Sequence, residues 1–207
     1  MMYKNTIASR ALSMLGSSTT IVDLDNENTV EARLIKLHLR TALDTLLEKH
    51  EWSFARRMVK LIEHSRDPEP RYGHAYSFPV NAAVIRRIAP DGMFPIGVEL
   101  YPDQEIPFEV MTFGTTDLIY CNVDNAFAEF TERMSENASF KTYFGLALAA
   151  QLAMDIGPAL ITNNWPKVKK AVLDESRSLI DEGIALDITK TPQKSPAPCP
   201  LVRVRWQ

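Results

Sequence analysis

The sequence predicts an α+β fold, predominantly α: a helical bundle with an inserted small antiparallel β-rich subdomain and an extended C-terminal arm. Three observations carry this. Apolar residues recur at helical spacing toward both ends of the chain. The middle is a run of short alternating segments cut by proline and glycine. The last stretch holds Pro192, Pro196, Pro198 and Pro200 and carries no acidic residue after Asp187. The bundle is thereby placed at residues 1–55 and 122–186, the insert at 56–121 and the arm at 187–207.

The first helix follows from Ile7, Ala8, Ala11, Leu12 and Leu15, one stripe over residues 4–15, with Gly16 as its stop. The polar, turn-forming stretch behind it is anchored by Ile21, Val22 and Leu24. A second helix spans residues 30–50, capped by Asn28 or Thr29, with Glu31 favourably placed in its first turn. Ile35, Leu39, Leu43, Leu46 and Leu47 give it a buried face, and Glu31, Arg33, Lys36 and Arg40 an exposed one. It runs into His50-Glu51-Trp52-Ser53-Phe54-Ala55. There Trp52 and Phe54 are core residues that clamp the helix end, because large aromatic groups bury most area.

Strands are expected at 58–62, 84–88, 97–101, 108–111 and 117–121, where β-branched and aromatic residues alternate with polar ones. Pro68, Pro70, Pro79, Pro90, Pro95, Pro102 and Pro107 mark their edges and turns. Helical spacing returns at 125, with Phe127, Phe130 and Met134 as a seam that ends near 135–137. Glu129, Glu132 and Glu136 then form the solvated face of that helix.

A longer helix over 138–156 carries Phe140, Phe144, Leu148, Gln151, Leu152 and Asp155 at near-heptad spacing, with Phe140 and Phe144 counted as core. Ala147, Ala149, Ala150 and Ala153 permit close approach of a neighbouring helix, and Gly157-Pro158 is its expected stop. The last helix, 165–184, has Pro166 in its first turn and turns Val168, Val172, Leu179 and Ile180 inward.

The prolines of the arm forbid helix and favour extended chain. Lys190, Lys194, Arg203 and Arg205 make it basic. Leu201, Val202, Arg203, Val204, Arg205 and Trp206 alternate apolar and basic groups, which is strand chemistry. A lone strand satisfies its backbone only by pairing with a sheet edge, so these residues with Lys190 and Lys194 are the partner-binding candidates. Fully extended, such an arm reaches about 65 Å.

The remaining features exclude more than they assign. With 45% hydrophobic and 24% charged residues, the composition is that of a soluble globular protein. A net charge of -3 argues against a dedicated nucleic-acid binder, although a mildly acidic wall lets DNA slide past. Cys121 and Cys199 belong to no CxxC pair and read as free thiols in a reducing compartment. His38 and His50 lie three turns apart on one helix and cannot share a metal. His64 and His74 flank a proline-containing loop with no carboxylate at ligand spacing. No nucleophile elbow, zinc-binding HExxH or phosphate-cradling glycine loop occurs, so no catalytic, metal or cofactor residue is assigned. The N-terminal stretch has a charge at Arg10 and no unbroken apolar run, unlike a signal peptide. No stretch is expected to approach the roughly 20 apolar residues of a membrane span.

The order of these features resembles the head-completion adaptors of short-tailed bacteriophages, the tail tubular protein A family. The residues that carry it are Ala8, Ala11, Leu12, Leu15 and Gly16 with Ile21 following, then Ala32 through Leu47 leading into His50-Glu51-Trp52-Ser53-Phe54-Ala55. Further matches are Tyr76, Phe78 and Pro79, then Val84, Arg86 and Ile88, then Leu118-Ile119-Tyr120. The last is Phe140, Phe144, Ala147, Leu148 and Ala149 with Leu152 and Ala153. Relatives often carry proline before the tryptophan, where this chain has Glu51.

The resemblance implies a structural virion protein, made in the host cytoplasm, that sits at the portal–tail junction. It implies a homo-oligomeric, dodecameric ring that binds the portal protein above and the tail nozzle, or tail tubular protein, below. DNA passes through the ring's channel without specific binding, and neither membrane nor cofactor is involved. The arm would climb onto the portal, where an acidic surface would attract Lys194, Arg203 and Arg205. Two other readings compete. A virion-associated peptidoglycan hydrolase acting during DNA entry is supported only by the supply of carboxylates and by that setting. A regulatory DNA-binding module is disfavoured by charge and by the lack of a basic helix.

Overall fold

The computed structural model describes residues 1–65, 70–90, 106–161 and 164–190. Among them are four helices and six strands in two small antiparallel sheets, a mixed α+β architecture. In chain order the elements are α1 (Lys4–Met14), α2 (Val30–Lys49), β1 (Arg56–Lys60), β2 (His74–Ser77) and β3 (Ala82–Ala89). There follow β4 (Phe108–Phe113), β5 (Thr116–Cys121), β6 (Phe127–Glu132), α3 (Thr142–Leu160) and α4 (Trp165–Lys190). Two compact units result: Met1–Ala55 with Arg133–Lys190, and Arg56–Glu132.

The helical unit is organised around α3, which packs against α1, α2 and α4. Small residues make that possible. A Cβ on Gly157 would stand 2.3 Å from the ring of Trp165, and one on Gly145 would stand 2.8 Å from Met2. By length and composition α3 would pass for a membrane span, with a mean hydropathy of 1.3. The expectation that no stretch approaches a span therefore needs amending for this helix. Its apolar residues have a different explanation here: Phe144, Leu148, Leu152 and Ile156 are buried in the core of the unit.

Both early helix ends are set by local chemistry. α1 stops in a Schellman motif: Gly16 adopts φ 76°, its amide donates to Ser13 O at 3.0 Å, and Ser17 donates to Leu12 O at 3.0 Å. Of the two possible caps for α2, Thr29 serves, its Oγ1 accepting from the Ala32 amide at 3.2 Å. Gly157-Pro158, in contrast, does not end α3. Pro158 lacks the N–H that would reach the carbonyl four residues back, yet the helix runs on to Leu160, and Ile161 N still donates to Gly157 O at 2.9 Å. A proline in the last turn removes one bond, which packing against the rest of the unit outweighs.

The β-rich unit holds the sheets β1-β6-β3 and β2-β5-β4, whose apolar faces share a core of Leu61, Tyr76, Ile85, Ile88, Ile119 and Phe130 with their neighbours. Of the expected strands, 58–62 is displaced to β1, 84–88 lies inside β3, 108–111 inside β4 and 117–121 inside β5. The strand expected at 97–101 lies outside the described residues.

The helix expected from 125 is wrong. Residues 127–132 form β6, the central strand of its sheet, paired with β1 through Arg57↔Phe130 and with β3 through Ile85↔Phe130. Being covered on both faces it is buried almost throughout, which hides the two-residue period and leaves Phe127, Phe130 and Met134 to mimic a helical seam. Glu129 and Glu132 are therefore strand residues, and they share no helix face with Glu136. The helical unit resumes only at Arg133.

Candidate functional site: a polar knot at the end of α4

The last helix also departs from expectation. An extended arm was expected from Asp187, but α4 continues to Lys190. The reason is Asp187 itself. It is only 1% exposed, and a buried carboxylate persists when its lone pairs are met by donors. The backbone amide of Ser53 donates to its Oδ2 at 2.8 Å, and Ser53 Oγ donates to Oδ1 at 2.6 Å. The hydroxyl of Tyr143, in the first turn of α3, donates to the same Oδ1 at 2.6 Å. The imidazole Nε2 of His50 stands 3.6 Å from Oδ2. One carboxylate thus gathers the end of α2, the start of α3 and the end of α4.

Aromatic packing sets these donors in place. Trp52 is fully buried, and its indole N–H donates to Leu46 O at 2.6 Å, locking the corner that follows α2. Its ring meets Phe144 edge-on at 4.8 Å and stacks on Tyr143 at 6.3 Å. Phe54 is partly buried and meets Phe144 at 4.9 Å, and Phe140 lies 5.2 Å from Phe144. Gly183 keeps α4 close, since a Cβ there would touch Tyr143 O at 3.3 Å and the Trp52 ring at 3.7 Å. The four aromatic residues expected in the core, Trp52, Phe54, Phe140 and Phe144, thus form one cluster beneath the knot. Burial, then the hydrogen bond to Asp187 and its charge, push the Tyr143 phenol up to about 12, so the donor keeps its proton.

Serine, histidine and aspartate meeting at one point invite comparison with a catalytic triad. The hydrogen bonds run differently here. A nucleophilic serine hands its proton to an imidazole that the carboxylate orients. In this knot the seryl proton points at the carboxylate, which His50 also addresses. Such an arrangement satisfies a buried charge and fastens three elements together. Beside it opens a cleft of about 300 Å³ whose lining, among the described residues, is Met1, Lys141, Thr142, Tyr143, Leu146 and Leu186, with no carboxylate, thiol or imidazole among them.

Compared with known proteins, the chain matches no family model, and no curated protein matches it in sequence. The knot therefore has to be read from its own residues.

Of the arm residues, Lys190 closes α4, while Lys194, Leu201, Val202, Arg203, Val204, Arg205 and Trp206 lie outside the described residues. No group of three or more metal-ligating side chains occurs among the described residues. His74 does acquire a carboxylate neighbour, Glu63, at 3.2 Å, because the strand-like stretch after β1 runs beside β2. Sequence reasoning singled out the Trp52 corner and missed the knot. Ser53 and Tyr143 stand 134 and 44 residues from Asp187, and the only hint was an isolated acid just before a basic, proline-rich stretch.

Proposed function

We propose that this chain is a non-catalytic structural subunit of the portal-to-tail adaptor ring of a short-tailed bacteriophage. In this reading the helical unit is a bundle that packs against copies of itself, the ring is dodecameric, and DNA crosses its channel without sequence-specific contacts. The segment from Lys190 onward binds the portal protein, and the opposite side of the ring meets the tail nozzle.

The observation that carries the reading is the pinned end of α4. A buried, fully hydrogen-bonded carboxylate one turn before Lys190 fixes the base of a segment whose sequence is basic and strand-patterned. A fixed base lowers the ordering cost of an arm that binds a partner. The outward side of α2 gives further support. Val30 and Leu37, on one helix face, are 57% and 70% exposed, as suits a helix that meets a neighbour. A ring built this way is heterologous, each copy offering two different faces.

The test is deletion of residues 192–207. The truncated chain should keep its fold by circular dichroism and lose binding to the portal protein of the same phage. Ring assembly on the portal at wild-type efficiency would remove the arm from the account.

A further inference from the structure

We infer that the last turn of α4, from Asp187 to Lys190, is a releasable base for the segment that follows it, with Asp187 as its latch. The inference goes beyond the adaptor reading and does not depend on what the segment binds.

Ile188 and Thr189, the other two residues of the turn whose side chains are described, add little to hold it. Ile188 and Thr189 are β-branched and of low helix propensity, and Pro192 biases the residue before it away from helical conformation. Ile188 is 59% exposed, so it adds almost nothing to the core. Beyond Gly183, Asp187 is the one buried side chain among the described residues of α4. Thr189 Oγ1 donates to Leu186 O at 3.0 Å, a bond within the turn that ties it to no other element. Contacts on Asp187 join the turn to the other helices of the unit: Ser53 N, Ser53 Oγ, Tyr143 OH and the nearby His50.

A turn held through one carboxylate is a two-state element. With the contacts made it is helical through Lys190. With them broken the sequence reverts to the extended form that its composition favours, starting at Asp187. The exchange of 1.5 Å per residue for about 3.3 Å lengthens the reach of the following segment by roughly 7 Å. The latch gives the turn from Asp187 to Lys190 a short, held state and a longer, released one.

Hydrogen–deuterium exchange on the full chain, read by mass spectrometry, tests this with Asp187→Asn, which keeps the shape and removes the charge. Amides 187–190 should exchange about tenfold faster than in the wild type, while those around Val172 and Ile180 keep their protection. Unchanged protection at 187–190 would overturn the latch. So would a uniform loss along α4, because Asp187 would then support the whole helix and not its last turn. Should Asp187→Asn fail to fold, Ser53→Ala removes a single hydroxyl contact, and the same local pattern, smaller in size, is required of it.

Discussion

The hydroxyl of Tyr143 and the carboxylate of Asp187 lie 2.6 Å apart, inside a protein unit where each would be costly alone. Burial disfavours the phenolate and the nearby negative charge disfavours it further, which holds the Tyr143 ionisation near 12 against an ordinary 10. The pair gives a pH prediction with a definite sign. A group whose folded-state ionisation is raised contributes stability that is complete below its unfolded value. That contribution fades as pH rises from 10 through 12. Tyr143→Phe should cost about 2 kcal/mol near neutrality, the scale of a hydrogen bond to a charged group. The gap between wild type and variant, measured by urea unfolding, should close across that alkaline range. A gap that stays constant to the top of the range would refute the assignment.

Trp52 is the aromatic centre of the same region. Trp52→Ala should destabilise the helical unit by about 3–5 kcal/mol, the usual cost of deleting a buried indole. Trp52→Phe should cost less but still leave Leu46 O without its 2.6 Å donor. Equal losses from the two substitutions, in thermal unfolding followed by circular dichroism, would show that the ring packing retained by phenylalanine contributes nothing beside the lost indole N–H.

Gly157 tests the close approach of Trp165. Alanine is the better helix former by about 1 kcal/mol, so propensity alone predicts a gain. The 2.3 Å clash predicts a net loss of about 1–2 kcal/mol instead, within the usual range for overpacking. Combining Gly157→Ala with Trp165→Leu should remove the penalty of the glycine substitution, giving a coupling that a double-mutant cycle measures directly.

In the β-rich unit Glu129 is 1% exposed and is ion-paired with Arg56. Arg56→Ala leaves a buried charge with a lost partner and should cost about 3–5 kcal/mol. Replacing both residues with methionine should recover much of that loss, because the desolvation penalty disappears with the charges. A double variant as unstable as Arg56→Ala would mean that the site depends on the carboxylate for another reason.

These sites also show what could be read from the chain in advance. α1 and α2 were legible because each buries one stripe and ends in local signals, Gly16 and Thr29, that need no distant partner. β6 was not, because a strand buried on both faces loses its alternation. β2 was missed because four residues, His74–Ser77, become a strand only through pairing with β5. The final turn of α4 was misread for a related reason: its sequence favours extended chain, and the contacts that overrule it come from Ser53 and Tyr143, far away in the chain. Local chemistry is visible in one sequence, and a carboxylate held by remote donors is not.

The central claim is that this chain assembles as a ring on a portal through the segment that α4 delivers. Electron-microscopic imaging of the full chain mixed with the portal ring of the same phage tests it most directly. The account predicts a second ring of density, of matching symmetry, seated beneath the portal. Portal rings left bare at saturating concentrations of the folded chain would contradict it.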